Sequence, residues 1–158
     1  ILAKARKESK DFYEVLDYYL ELSVSCISGP MLIWEKCVRH ESLAYCEGGF
    51  LGGHLKLADK IKPLLKSATA SFGITALNEL QELYKEIMVE DGAFAVEVLE
   101  HINQKISEYK EEDGNLYAIY GTPAENLCGL QVKQFREKYG IIEGVSDREY
   151  VTTASIAM

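Results

Sequence analysis

No apolar run in the 158-residue sequence approaches the ~18 residues needed to cross a bilayer, and the opening ILAKARKESK lacks the layout of a signal peptide. No membrane partner is expected, and the chain reads as cytoplasmic. Positive charge is in deficit, with 17 Lys and Arg against 25 Asp and Glu and a net charge of -8. Such a field repels phosphodiester backbones, so no nucleic-acid partner is expected, although a local site for a small phosphate ligand is compatible with it. Cysteine is sparse. Cys26, Cys37, Cys46 and Cys128 contain no C-x-x-C pair, and with only His40, His54 and His101 beside them no zinc-ligand spacing arises. No metal, no disulfide framework and no cofactor cluster is therefore expected in this segment, and the thiols read as reduced. Four glycines lie close together in GGFLGG (48–53), but the G-x-G-x-x-G spacing is absent, as are the Lys and Ser/Thr of a P-loop.

What is present reads as one compact domain, 47% apolar and mostly helical. Asp11 with Glu14 forms a capping-box-like start for a helix carrying Val15, Leu16, Tyr19, Leu20 and Leu22, expected to stop at Ser28-Gly29-Pro30. A second helix from Met31 to about Tyr45, burying Trp34, Cys37 and Val38, would complete a helical hairpin over 1–47. GGFLGG reads either as a tight loop plugging a core or as backbone open to a ligand or partner. A helix is expected from His54 to about Leu65 with a kink at Pro63. SATASFG (67–73) suits a short strand, Thr75 can cap a helix bearing Leu77, Leu80, Leu83 and Tyr84, and Asp91 can cap the clearest helix of the chain. That helix carries Phe94, Ala95, Val98, Ile102, Ile106 and Tyr109 as far as the acidic turn EEDGN (111–115). Leu116 to Tyr120 then read as a buried strand. The class is α/β, predominantly helical with a few short buried strands.

Chemistry concentrates at Thr122-Pro123-Ala124-Glu125, where Thr at the cap, Pro at the first helical position and Glu at the third agree on a helix start. Cys128, Val132, Phe135 and Tyr139 recur behind it on one side. The unpaired amides of Ala124, Glu125 and Asn126, at the positive end of the helix dipole, form a pocket suited to phosphate, to which Thr122 adds a hydroxyl. The same pattern also serves as a purely structural cap. Two other groupings, His54 with Asp59 and His101 with Glu97, could suggest a hydrolase, but four-residue spacing on a helix makes Glu97 and His101 a surface pair.

The run YGTPAENLC, followed by GLQVKQFREKYGIIEGVSDREY, resembles anaerobic ribonucleotide reductases at the T-P-[AS]-E-[NST] turn that opens a helix inside their ten-stranded α/β barrel. AYCEGGFLGG, SATASFGITALNELQELY and VEDGAFA are also similar to this family, so the likeness covers most of 44–150, and residues 8–25 resemble its preceding helix near the dimer interface and effector-nucleotide site. The resemblance implies that 48–158 is part of a barrel of the glycyl-radical and ribonucleotide reductase type. It implies as well that Thr122, Ala124, Glu125, Asn126 and Leu127 hold substrate phosphates. It further implies reduction of ribonucleoside triphosphates to deoxyribonucleoside triphosphates by radical chemistry, with formate or a dithiol as reductant and ATP or dATP as effectors. Its implied cofactors are a glycyl radical and a structural zinc, and its implied partners a second copy of the chain and a radical-SAM activating protein. No residue here matches the radical glycine, the thiyl cysteine or the zinc cluster, and CISGPMLIWEKCVRHESL (26–43) and VTTASIAM (151–158) depart from the family pattern. The chain therefore reads as an interior segment or a truncated homologue, inactive alone, whose alternative role is a non-catalytic helical module acting through self-association or a protein partner.

Overall fold

The computed structural model describes residues 1–36, 55, 56, 58–84, 92–122, 125–149 and 151, with the backbone alone at 30–34 and 125. In chain order the elements are α1 (Leu2–Glu8), α2 (Phe12–Trp34), α3 (Lys62–Leu65), β1 (Thr69–Ile74), α4 (Leu77–Tyr84), α5 (Ala93–Asp113), β2 (Leu116–Gly121) and α6 (Glu125–Tyr139).

Asp11 starts α2 as its side chain predicts, Oδ1 accepting from the amides of Tyr13 at 2.9 Å and Glu14 at 3.1 Å. Of the expected stripe, Val15, Leu16 and Leu20 are buried and Tyr19 is half-buried, while Leu22 is exposed. The end of the helix is a correction: α2 runs through Ser28-Gly29-Pro30 to Trp34, so one helix replaces the first part of the expected hairpin. Proline at 30 removes the amide that would bond the Cys26 carbonyl. Because Cys26 is exposed, water can replace that partner, and the penalty stays too small to end the helix. The remainder of the expected second helix, with Cys37, Val38 and Tyr45, lies outside the described residues, as does GGFLGG.

A second correction concerns the expected helix from His54. The described residues before Ile61 instead turn, the Lys56 amide donating to Asp59 Oδ2 at 2.9 Å and the Asp59 amide to the Lys56 carbonyl at 3.0 Å. Pro63 sits in the first turn of α3, where its missing N–H is harmless, so it opens a helix rather than kinking one. Ile61 and Leu65 are buried, at 0% and 8% exposure.

β1 and β2 pair in parallel, Thr69 against Leu116 through Ile74 against Gly121. A parallel pair needs a long crossover, supplied here by α4 and α5. Leu16 and Leu20 of α2 form the core with Phe94, Val98, Ile102 and Ile106 of α5, and Phe72, Ile74, Tyr117 and Ile119 cover it from the sheet. The opposite face, with Ser71, Gly73 and Tyr120, is exposed, so the strands are half-buried where full burial was expected. Helices cover one face only among the described residues. The order β1, α4, α5, β2, α6 makes this an α/β unit, mostly helical, with a two-stranded sheet.

Three helix boundaries show how local chemistry sets them. α5 begins after Gly92, at φ 85, which has no side chain to cap it; Gln81 Oε1 of α4 instead accepts the Ala95 amide at 2.7 Å, and Asp91 lies outside the described residues. Its end falls at EEDGN as read, where Gly114 at φ 74 donates its amide to the Lys110 carbonyl at 2.9 Å. α4 is not capped by Thr75. The Thr75 hydroxyl donates to Gln131 Oε1 at 3.0 Å, and the Ala76 carbonyl accepts the first helical bond, from Leu80.

At the α5–β2 turn the Tyr117 hydroxyl donates to Asp113, which also accepts from the Asn115 amide at 2.8 Å. Burial and the Asp113 carboxylate push the Tyr117 phenol up to about 12. A phenol raised in the fold holds its proton longer than in the unfolded chain. Its stabilisation is therefore complete below pH ~10 and lost between about 10 and 12. Urea midpoints measured across that range should fall more steeply for the wild type than for Tyr117→Phe.

Beyond α6 the chain folds back through Val145 and Ser146, both buried. Ser146 Oγ donates to the Gly140 carbonyl at 3.0 Å and accepts from the Ile142 amide at 2.9 Å, while Arg136 donates to the Ser146 and Arg148 carbonyls. Ser146→Ala leaves the Ile142 amide and Gly140 carbonyl without that partner. A loss of about 1–3 kcal/mol is expected in chemical denaturation.

Candidate functional site

The carboxyl ends of two parallel strands meet at the corner that carries Thr122. β2 ends at Gly121, and the Thr122 amide crosses over to the Ile74 carbonyl of β1 at 3.3 Å. Gly73 lies directly against the Thr122 side chain: a Cβ built on Gly73 would stand 2.9 Å from Thr122 Cβ. From the other direction, Gln131 on α6 accepts the Thr75 hydroxyl. The β1–α4 and β2–α6 corners are thereby held together by a backbone hydrogen bond, a side-chain hydrogen bond and a close backbone approach. Carboxyl ends of parallel strands are the usual place for ligands in α/β folds.

Of the residues singled out as phosphate ligands, Thr122 is half-buried, while Asn126 and Leu127, on the first turn of α6, are exposed. Glu125 begins α6, with its backbone alone described, and Ala124 lies outside the described residues with Pro123. Behind that turn Cys128 and Val132 are each 1% exposed, and Phe135 and Tyr139 are half-buried with ring centroids 5.0 Å apart, so one side of the helix is anchored as its spacing suggested. Arg136 and Lys138 sit at the far end, where cations complement the dipole. An open cavity of about 700 Å³ runs past the same corner, lined in part by Ile74, Thr75, Ala76, Glu79 and Gln131.

The expected Glu97–His101 surface pair is corrected by longer-range partners. His101 Nε2 bonds Asp17 Oδ1 at 2.6 Å, and Glu97 accepts from the Tyr13 hydroxyl. Both residues reach across to α2 instead of to each other. Burial and the Glu97 carboxylate push the Tyr13 phenol upward. Asp59 bonds the Lys56 amide, and its expected companion His54 lies outside the described residues.

Among the described residues no three of His, Cys, Asp and Glu are grouped to hold a metal. Cys26 is exposed on α2 and Cys128 is buried on α6. These residues do not fit the structural zinc that the family resemblance implies. No helix among them is long and apolar enough to cross a membrane.

The geometry defines an α/β segment built on a parallel strand pair, with its candidate ligand corner at the strands' carboxyl ends. The family model for anaerobic ribonucleoside-triphosphate reductase matches residues 1–157, and the chain belongs to that family. It is 27% identical over 161 residues to the anaerobic ribonucleoside-triphosphate reductase of Haemophilus influenzae, covering 97% of this chain and 23% of the relative. The Escherichia coli enzyme is 26% identical over 162 residues, covering 98% and 23%. That of Enterobacteria phage T4 is 32% identical over 114 residues, covering 71% and 18%. The chain thus spans about a quarter of the length of the relatives it matches.

Proposed function

We propose that this chain is a nucleotide-binding and scaffold segment of an anaerobic ribonucleotide reductase, an oxidoreductase that makes deoxyribonucleoside triphosphates from ribonucleoside triphosphates. The carrying observation is the membership of residues 1–157 in that family, taken with Thr122 at the carboxyl end of β2. In this reading the substrate phosphates lie at the mouth of α6. The Thr122 hydroxyl and the amides of Ala124, Glu125, Asn126 and Leu127 receive them, aided by the helix dipole. An anion here needs no cationic side chain, which suits a chain with a net charge of -8. β1 and β2 are two neighbouring strands of the family's ten-stranded barrel, their exposed face turned inward.

The radical glycine, the thiyl cysteine and the zinc cluster belong to other parts of the enzyme in this reading, so the chain alone is inactive. Its cytoplasmic partners are a second copy and a radical-SAM activating protein, with ATP and dATP as effectors. Calorimetric titration with CTP, ATP and dATP tests the binding role, and absence of binding by all three in folded protein removes it.

The rival reading, a helical interaction module, rests on GGFLGG, which lies outside the described residues, and on the amphipathic first long helix. Leu16 and Leu20 lie inside the core, so changing them to Asp tests folding rather than association. Tyr18 and Leu22, 57% and 47% exposed, are the positions on α2 where Asp tests self-association by light scattering.

A further inference from the structure

We propose, on the reading of the β2–α6 corner as a phosphate site, that Gly73 is a positioning residue for Thr122. The backbone at Gly73 is not in the left-handed region, so conformation alone does not demand glycine there. Proximity does. A methyl group at 73 would lie 2.9 Å from Thr122 Cβ, 3.1 Å from Cγ2 and 3.4 Å from Oγ1. Rotation about χ1 can carry Cγ2 and Oγ1 away, but Cβ is fixed to the backbone and stays where it is. Relief therefore requires the Thr122 backbone itself to move, together with the hydrogen bond its amide donates to the Ile74 carbonyl at 3.3 Å. The hydroxyl and the start of α6 move with it. β1 in this way sets the place of a ligand group carried by β2, and a residue with no side chain defines the geometry of the phosphate corner.

The test is a double-mutant cycle in the complete protein, with CTP as the calorimetric probe and circular dichroism to establish folding. Gly73→Ala is expected to weaken CTP binding roughly tenfold or more, since a displaced Thr122 hydroxyl loses its hydrogen bond to a charged acceptor. Thr122→Gly weakens binding by removing the hydroxyl. With no Cβ left to strike, adding Gly73→Ala to it should produce no further loss. Unchanged affinity in Gly73→Ala, or losses that simply multiply in the double variant, overturns the proposal. If Gly73→Ala fails to fold, Gly73→Ala/Thr122→Gly must restore folding, and failure to do so also overturns it. A wild type that binds no CTP removes the phosphate reading and this one together, whereas a binding wild type with an indifferent Gly73→Ala removes this one alone.

Discussion

Phe94→Ala is expected to lower the free energy of unfolding by about 3–5 kcal/mol, the range for emptying an aromatic site in a packed core. Phe94 is 2% exposed on the first turn of α5. Its ring stacks on Tyr84 of α4 at a centroid distance of 3.6 Å and tilts against Phe12 of α2 at 5.3 Å. Three helices therefore lose a shared contact when the ring is removed, and each aromatic pair adds about 0.5–1.5 kcal/mol to simple area burial. Against a typical total of 5–15 kcal/mol for a folded domain, the loss brings the protein close to unfolding. Urea denaturation should show a lower midpoint with an unchanged slope. Val96→Ala, two residues along the same helix and 54% exposed, supplies the contrast, with a change within about ±0.5 kcal/mol. Equal losses from the two substitutions are incompatible with the core as described.

Periodicity made the helices legible wherever one face was buried. Phe94, Val98, Ile102 and Ile106 announced α5, and the same spacing located Leu16 and Leu20 on α2. Gly114, with its αL backbone, also fixed the end of α5. The prolines were less legible. Pro30 removes the partner of the carbonyl of exposed Cys26, where water can replace it, and Pro63 occupies a first turn that needs no amide. A proline's meaning depends on its position within the helix and its exposure, neither of which the local sequence states. Polar side chains with two available partners were also ambiguous. His101 and Glu97 could satisfy each other on one helix, but the packing of α2 on α5 offered Asp17 and Tyr13 instead. At the candidate site, Thr122 was visible through its helix-start pattern. The approach of Gly73 was hidden, because it comes from strand register: Gly73 pairs with Tyr120, leaving the end of β1 beside the residue that follows β2. SATASFG signalled a strand, and only the parallel pairing turned its glycine into a neighbour of Thr122.

Thr122→Val should weaken CTP binding by about 10–100-fold, while Thr122→Ser should leave it close to wild type. The two substitutions divide the side chain into its functions. Valine keeps a methyl group against Gly73 and removes the hydroxyl, whereas serine keeps the hydroxyl and removes that methyl group, Cγ2, which lies 3.1 Å from the Cβ position of Gly73. A hydrogen bond to a charged acceptor contributes about 1.5–3 kcal/mol. With each 1.4 kcal/mol worth tenfold in affinity, that contribution gives the stated range. A hydroxyl acting only as a helix cap has a different signature: its removal costs about 1 kcal/mol of folding stability without touching the affinity of the folded protein. Thermal unfolding without nucleotide, run beside the titration, separates the two. If the valine variant is less stable but binds CTP as tightly as wild type, Thr122 is a structural cap and the phosphate corner must be placed elsewhere. If it binds weakly while the serine variant binds normally, the oxygen is what the phosphate meets, and the methyl group is dispensable for holding it there.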